Sequence, residues 1–152
     1  MKEQKIITDI SMLRRPCATV TAAEGREIGK LLLEVLASHD TGVGLAANQI
    51  GILKRVCVIN VIKPIILVNP KIVGSYDKIE YDEACLSFSG ESVRTQRYKN
   101  ILVSDALGKG IMAFYGVDKL SLLESVCVQH EIDHLNGVTM HDRKRRIEND
   151  RH

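Results

Sequence analysis

Two histidines four residues apart constrain the fold of this chain more than any other feature, because both fall on the apolar side of a predicted helix. The spacing of apolar residues predicts a helix over residues 119–136, on which Leu123, Cys127, His130 and His134 share one face. A helix with imidazoles on its packed face has to bury them, and a buried imidazole needs a polar partner. The fold therefore has to bury this face of the helix and supply a polar partner for each ring.

The glutamate between the two histidines favours a metal-dependent hydrolase. In the stretch QHEIDHLNG, Glu131 directly follows His130, and His134 lies one helical turn further on. Histidines at positions i and i+4 can converge on one cation, with the glutamate placed beside it to move protons. The alternative is that each imidazole is a core side chain hydrogen-bonded to a carbonyl group.

The spacing alone leaves the third metal ligand open. In the longer metalloprotease motif, the place of a third histidine is taken here by Met140, and His141 comes one residue late. Cys127 would lie roughly 10.5 Å along the helix axis from His134, too far to share an ion easily. Cys85, in the short segment YDEACLSFSG between predicted strands, is the first candidate, and His141 is the second.

The rest of the chain predicts an α+β fold with the last helix packed on β-sheets. A helix is expected over residues 22–38, where Thr21 and Glu24 form a capping signature. Ser121 is predicted to cap the last helix and Gly137 to end it. Five strands are predicted, at residues 55–61, 65–69, 92–98, 101–105 and 111–115.

Length, charge and composition limit the number of domains and the cellular location that we expect. Its 152 residues are the size of one domain, and a net charge of +2 gives no reason to expect a DNA-binding protein. We expect no membrane span and no secretion signal, and therefore a cytoplasmic protein. No feature of the sequence indicates an obligate oligomer, so a monomer is expected. Reduced thiols are expected at its four cysteines, Cys17, Cys57, Cys85 and Cys127.

Three segments together resemble the peptide deformylase family. They are GVGLAANQIG at 42–51, EACLS at 83–87 and QHEIDHLNG at 129–137, which are similar to the family's GxGLAAxQ, EGCLS and HExDH motifs. LRRP, RVCVINV and GVTMHDR extend the resemblance over nearly the whole chain. It implies one catalytic domain over residues 1–152, with mixed or antiparallel sheets around a central metal-binding helix and a short basic tail from about residue 142.

The resemblance also implies a metal centre and a reaction. Cys85, His130 and His134 would hold one divalent ion, usually Fe²⁺, with Zn²⁺, Ni²⁺ or Co²⁺ as substitutes. A metal-bound water would attack the N-formyl group on the initiator methionine of nascent polypeptides, and Glu131 would act as general base and then general acid.

Two hydrogen-bond donors are implied beside this centre. The side-chain amide of Gln49 and the backbone N–H of Leu86 would form an oxyanion hole for the formyl oxygen. Substrate contacts are implied for Val43 and Gly44, whose backbone groups would pair with an extended peptide. Further residues are expected at the substrate pocket: Tyr81, Glu83, Ala84, Leu123, Val126 and Cys127. Asp133 is not expected to be a ligand, and we interpret it as an ion-pair residue.

The chain departs from the family pattern at three places. Ala84 stands where the family has glycine, which would cost about 1 kcal/mol if the backbone there required a positive φ. Ser89 stands where proline is common, and the chain after Gly137 is short, with a basic run over residues 143–146. This run is interpreted as a solvated tail, with a contact to ribosomal RNA as the alternative. Short members of this kind occur in phages, which suggests a protein working in the cytoplasm of a bacterial host.

Two other functions compete with formyl hydrolysis. A metallopeptidase would cut peptide bonds, and His141 as third ligand would favour it. A catalytically silent homologue would only bind polypeptide N-termini. The presence of both Glu131 and Gln49 favours an enzyme over such a binder.

Overall fold

The computed structural model describes residues 5–108 and 110–144 of the chain. The helices are α1 (Ile10–Leu13), α2 (Ala22–Ala37) and α3 (Lys119–Leu135), and the strands are β1 (Gly44–Ala46), β2 (Val56–Asn60), β3 (Pro64–Val68), β4 (Lys71–Glu83), β5 (Val93–Ser104) and β6 (Met112–Tyr115). Three short 3₁₀ turns span Ala47–Ile50, Leu86–Phe88 and Met140–Arg143. The predicted α+β class is confirmed.

The strands form two antiparallel three-stranded sheets, ordered β1-β2-β3 and β4-β5-β6. In the first sheet Ala46 lies opposite Cys57, and in the second Glu83 lies opposite Val93. The predicted strands at 92–98 and 101–105 are one continuous strand, since no turn interrupts β5. Strands β1 and β4 had not been predicted, because β1 has only three residues and most of β4 is exposed and polar.

Helix α3 is central to the fold, as the family resemblance implies, and it is buried on all sides rather than on one apolar face. Eleven consecutive residues, from Ser125 to Leu135, are buried. One core cluster joins α3 to both sheets, with contributions from Ile59 in β2, Ile101 in β5 and Val128 in α3 itself. A helix enclosed in this way holds its side chains in fixed positions relative to both sheets.

The ends of α3 follow ordinary capping chemistry. Asp118, rather than the predicted Ser121, is the N-cap: its carboxylate accepts from the backbone N–H of Ser121 at 2.9 Å. The Ser121 hydroxyl in turn accepts from the N–H of Asp118, also at 2.9 Å. The helix ends before Gly137, whose φ of 74° is the left-handed conformation that glycine allows.

Helix α2 covers the other face of the first sheet through a second cluster that includes Leu32, Leu36 and Val58. Its N-cap is Thr21, as predicted, with the hydroxyl accepting from the N–H of Glu24 at 3.1 Å. None of the described helices has the length and apolar character that a bilayer crossing requires.

Candidate metal centre

Three side chains meet at the buried end of a cavity with the chemistry of metal ligands. Cys85, His130 and His134 each offer one ligand atom, and these atoms all lie within 4.8 Å of one another. The Cys85 Sγ is 3.4 Å from the Nε2 of His134, which is 3.2 Å from the Nε2 of His130. Both histidines project from α3, and Cys85 follows the last residue of β4, so the site joins the central helix to the second sheet.

The donor set fits a divalent transition-metal ion. One thiolate and two imidazoles are ligands that Fe²⁺ and Zn²⁺ accept, and three protein ligands leave a position for a substrate or a water. The Nδ1 atom of His130 is 2.7 Å from the Oε1 of Glu83, which leaves its Nε2 directed at His134 and Cys85. A carboxylate behind an imidazole is the usual way to fix the orientation of a histidine ligand.

His141 and Cys127, the other candidate ligands, do not belong to this group of three. The Nε2 of His141 is 3.2 Å from the Oε1 of Glu91, and its ring packs edge-on against Phe88. Cys127 is buried, and burial raises the pKa of its thiol well above the ordinary value, so it remains protonated. The ligand arrangement expected of a metallopeptidase that uses His141 is therefore not formed in the described structure.

Glu131 is a buried carboxylic acid at the cavity wall. Burial raises its pKa from 4.5 to about 7, although the charge of His130 acts in the opposite direction. Its Oε1 atom has no hydrogen-bond partner among the described residues. A carboxyl group with a pKa near neutral and one free oxygen can both accept and donate a proton at neutral pH.

The pKa values of the two histidines move apart in the metal-free chain. Burial acts to lower the pKa of His130, but the charge of Glu131 and hydrogen bonds with Cys85 and Glu83 raise it well above the ordinary value. Burial and the charge of His130 lower the pKa of His134 well below the ordinary value. Since metal binding requires both rings to be neutral, an ion entering the site displaces a proton from His130.

The motif GVGLAANQIG places an amide beside the cysteine. Gln49 lies on the 3₁₀ turn Ala47–Ile50, and its Oε1 accepts from the N–H of Ala46 at 2.9 Å. This contact fixes the amide orientation, so that Nε2 points toward the Ser87 hydroxyl at 3.1 Å and the Cys85 Sγ at 3.7 Å. Leu86 begins the next 3₁₀ turn directly after Cys85.

A cavity of about 360 Å³ opens next to these groups. All eight residues expected to contact substrate line it: Val43, Gly44, Tyr81, Glu83, Ala84, Leu123, Val126 and Cys127. Glu83 differs from the others because it is buried and ion-paired. Residues that had not been predicted also line the cavity, among them Thr41, Phe88 and Glu91. Phe88 ends the 3₁₀ turn Leu86–Phe88, and the other two lie in loops.

Gly44 is needed where the cavity meets α3. A Cβ atom at this position would lie 2.6 Å from the Sγ of Cys127 and 2.7 Å from the Oε2 of Glu131. The carbonyl of Val43 accepts from the N–H of Asn60 at 2.7 Å, so this group already belongs to the first sheet. Because backbone groups alternate along an antiparallel strand, those of Gly44 face the open edge of β1.

A buried ion-pair network lies behind His130, and sequence analysis missed most of it. Burial acts to raise the pKa of Glu83, but hydrogen bonds from His130 and Arg97 lower it to about 2. Arg97 also donates to Asp133, which is buried and ion-paired rather than a metal ligand. The alternation along β5 could have revealed Arg97, since it lies two residues from the buried Thr95.

The departures from the family pattern cause no backbone strain. Among the described residues other than glycine, only Asn69 and Asp77 have a positive φ, so Ala84 carries no left-handed penalty. Ala84 and Ser89 are both exposed at the cavity mouth. Of the basic tail, Arg143 and Lys144 are described, and the remainder lies outside the described residues.

Comparison with known proteins identifies the family. The family model described as polypeptide deformylase matches residues 4–150. The peptide deformylase of Aquifex aeolicus is 34% identical over 150 residues, which are 91% of this chain and 85% of that protein. The crystal structure of peptide deformylase from Thermotoga maritima superposes with a TM-score of 0.80 at 29% identity, covering 96% of this chain and 100% of that one.

A phage protein is also similar. The structure of a probable peptide deformylase from Synechococcus phage S-SSM7 superposes with a TM-score of 0.76 at 33% identity, covering 94% of this chain and 99% of that one. The family match and these relatives agree with the metal site that the geometry provides. The chain belongs to the peptide deformylase family, whose members use a metal ion to remove the N-formyl group from nascent polypeptides.

Proposed function

We propose that Cys85, His130 and His134 hold one Fe²⁺ ion in this deformylase, and that Zn²⁺, Ni²⁺ or Co²⁺ can replace it. The thiolate and two imidazoles suit each of these ions. When bound, such an ion acts as a Lewis acid and makes a coordinated water acidic near neutral pH. The observation that carries the proposal is that three donor atoms within 4.8 Å of one another adjoin the cavity that Glu131 and Gln49 line.

Glu131 acts as general base and then as general acid. Its carboxylate takes a proton from the water that attacks the formyl carbon. When the C–N bond breaks, the same group gives the proton to the leaving amine, so the products are formate and a free N-terminus. A buried carboxyl group suits both transfers, because burial raises its pKa toward the ambient pH, where a group that accepts and donates in turn works best.

Gln49 and Leu86 stabilise the formyl oxygen as negative charge develops on it. The hydrogen bond from the N–H of Ala46 to the Oε1 of Gln49 fixes the orientation of its Nε2. Leu86, which directly follows Cys85 in the chain, carries the second N–H. Donors fixed in this way need no reorganisation during the reaction. The loss of one such donor costs roughly a hundredfold or more in turnover.

The substrate peptide adds to the open edge of β1. Gly44 provides the pairing groups, and Val43 contributes a wall rather than its carbonyl, which Asn60 already uses. The methionine side chain enters the apolar part of the cavity, between Val126 and Tyr81. The preference for a formyl group follows from the closeness of the metal ligands to the blocked end of the peptide.

Hydrolysis of formyl-Met-Ala-Ser by protein loaded with Co²⁺ or Fe²⁺ tests this assignment. Free amine should appear with the formyl peptide and not with acetyl-Met-Ala-Ser, and Gln49→Ala should reduce turnover about a hundredfold. Cleavage of the Met-Ala bond in the acetylated peptide would overturn the assignment and support a metallopeptidase.

We also infer that the enzyme works as a monomer in the bacterial cytoplasm, as a host or phage product, where formylated chains are made. We further propose that the basic run over residues 143–146 contacts ribosomal RNA. Sedimentation with purified ribosomes tests this contact: binding that weakens as salt increases supports it. Equal recovery with and without ribosomes would exclude it.

A further inference from the structure

A line of alternating charges runs from a metal ligand to the C-terminal 3₁₀ turn. The Nδ1 of His130 is 2.7 Å from the Oε1 of Glu83, and this oxygen accepts from the Nη2 of Arg97 at 2.9 Å. The Nη1 of Arg97 donates to the Oδ2 of Asp133 at 2.5 Å. Asp133 then accepts two bonds from Arg143, each 2.9 Å long. The line therefore ends on a residue outside the cavity.

The charge balance of this line depends on Arg143. Glu83 and Asp133 are two buried carboxylates, whereas Arg97 is one buried guanidinium. When His130 is neutral, as a metal ligand has to be, Arg143 supplies the second positive charge. Its side chain is 48% exposed, which would make an ordinary surface pair weak, but its partner Asp133 is only 8% exposed. A buried carboxylate that loses a partner is costly, so the remaining cation has to compensate.

We propose that Arg143 is a positioning residue for the metal ligand His130. With Arg143 in place, Asp133 is satisfied, and Arg97 holds Glu83 through two nitrogens. Without it, Asp133 attracts Arg97 more strongly, and Glu83 loses part of the contact that fixes its carboxylate. Since Glu83 orients the His130 ring, the ligand geometry loosens.

The chain offers a matched control for this effect. Arg143 belongs to the same 3₁₀ turn as Asp142, which pairs with Arg14 at 2.9 Å. Met140 anchors the turn independently by packing in a buried cluster with Cys85. Removal of Arg14 cuts an ion pair of the same turn, and with it a hydrogen bond to the carbonyl of Gly137, and leaves Asp133 untouched. It therefore measures what a loosened turn alone would do.

The proposal rests on the ligand set proposed above, and Co²⁺ binding tests both separately. Dissociation constants are measured by chelator competition, and ligand geometry by the visible spectrum of the Co²⁺-loaded protein. We expect Arg143→Ala to weaken Co²⁺ binding by roughly 10- to 100-fold with an altered spectrum, as for other groups that support a metal ligand. Arg14→Ala should stay within about threefold of the wild type on the same scale.

The double variant Arg143→Ala with Asp133→Asn distinguishes positioning from packing. It removes the surplus charge, so Arg97 returns to Glu83 and Co²⁺ affinity recovers to within about threefold of wild type. Wild-type affinity in Arg143→Ala, equal losses in Arg143→Ala and Arg14→Ala, or no recovery in the double variant would each overturn the proposal. If the unaltered protein binds no Co²⁺, the ligand set itself is wrong.

Discussion

At the scale of single residues, the proposed proton transfers depend on a carboxyl group that is buried away from water. Glu131 is 3% exposed, and burial is the main reason that its pKa rises to about 7. Gly44 lets this side chain occupy its position, since any Cβ there would contact the Oε2 atom. Gly44 and the buried Glu131 thus lie together at the part of the cavity where we propose that the reaction takes place.

Replacement of the acid by its amide should separate catalysis from metal binding. Glu131→Gln keeps the shape of the side chain but can neither accept nor deliver the proton, so turnover of formyl-Met-Ala-Ser should fall by about 10²- to 10⁴-fold. The metal content should remain that of the wild type, because Cys85, His130 and His134 are unchanged. Glu124→Gln, on the same helix, is the control. Full activity in Glu131→Gln would show that the base is another group.

Because of Glu131, we expect the free energy of unfolding of the metal-free protein to depend on pH. The pKa of Glu131 is about 7 when folded and 4.5 as an ordinary glutamate, so the folded state binds the extra proton. The protonated Glu131 contributes up to roughly 3 kcal/mol to the free energy of unfolding. This contribution is complete below pH 4.5 and is lost as the pH rises to about 7. Denaturant unfolding of metal-free wild type and Glu131→Gln should therefore diverge across this window. Parallel pH profiles would contradict the assigned pKa.

At the scale of secondary-structure elements, close packing of helices on sheets decides which residues are tolerated. Gly25 and Gly29 of α2 face β3, where an added Cβ would lie 2.4 Å from Val68 and from Ile66 respectively. Both positions bring the helix backbone near the sheet. Helix α2 thus covers one face of the first sheet, and the sheet holds β1 in place beside the cavity.

An alanine at position 29 should destabilise the protein even though alanine favours helices. The gain in helix propensity is at most about 1 kcal/mol, whereas forcing an extra methyl into a packed contact costs about 1–3 kcal/mol. Gly29→Ala should therefore lower the free energy of unfolding, as measured by urea denaturation. Lys30→Ala, at the neighbouring exposed position, should leave it nearly unchanged. A stabilised Gly29→Ala protein would mean that α2 can move away from Ile66.

At the scale of the whole molecule, the proposed ligands come from two separate parts of the fold. His130 and His134 belong to the central helix, whereas Cys85 connects the two long strands of the second sheet. The C-terminal end of α3 is further held by the amide of Asn48, which donates to the His134 carbonyl at 2.7 Å. An ion at this place would join elements that are distant in sequence.

Removal of the metal should lower the melting temperature. Free metal at 100 times its dissociation constant stabilises the folded state by about 2.7 kcal/mol. For a chain of this size, that corresponds to roughly 5–10 °C. Calorimetry with and without a chelator should show this difference in the wild type and in His141→Ala, but not in Cys85→Ala. A chelator effect that persists in Cys85→Ala would remove the thiol from the ligand set.

The sequence was most informative where burial imposes a pattern. The apolar periodicity of α2 and α3 predicted both helices. The resemblance of the EACLS and HExxH segments to family motifs predicted that Cys85 lies next to His130. Strand β4 escaped prediction because it is mostly polar and solvent-exposed, and its one buried residue is Glu83. The alternation along β5 could have revealed that Arg97 is buried, but not that Arg97 and Arg143 both pair with Asp133, since they reach it from different elements.

The complete burial of α3 between Ser125 and Leu135 has a consequence for evolution. A helix without a solvent face offers little room for neutral drift, so its motif is expected to stay constant among relatives. The exposed cavity mouth has no such restriction. Ala84 and Ser89, the two departures from the family motifs, both lie there. We therefore expect substitutions that diversify this enzyme to fall in the segment between β4 and β5 rather than in α3. The same holds for substitutions that let it escape compounds entering the cavity.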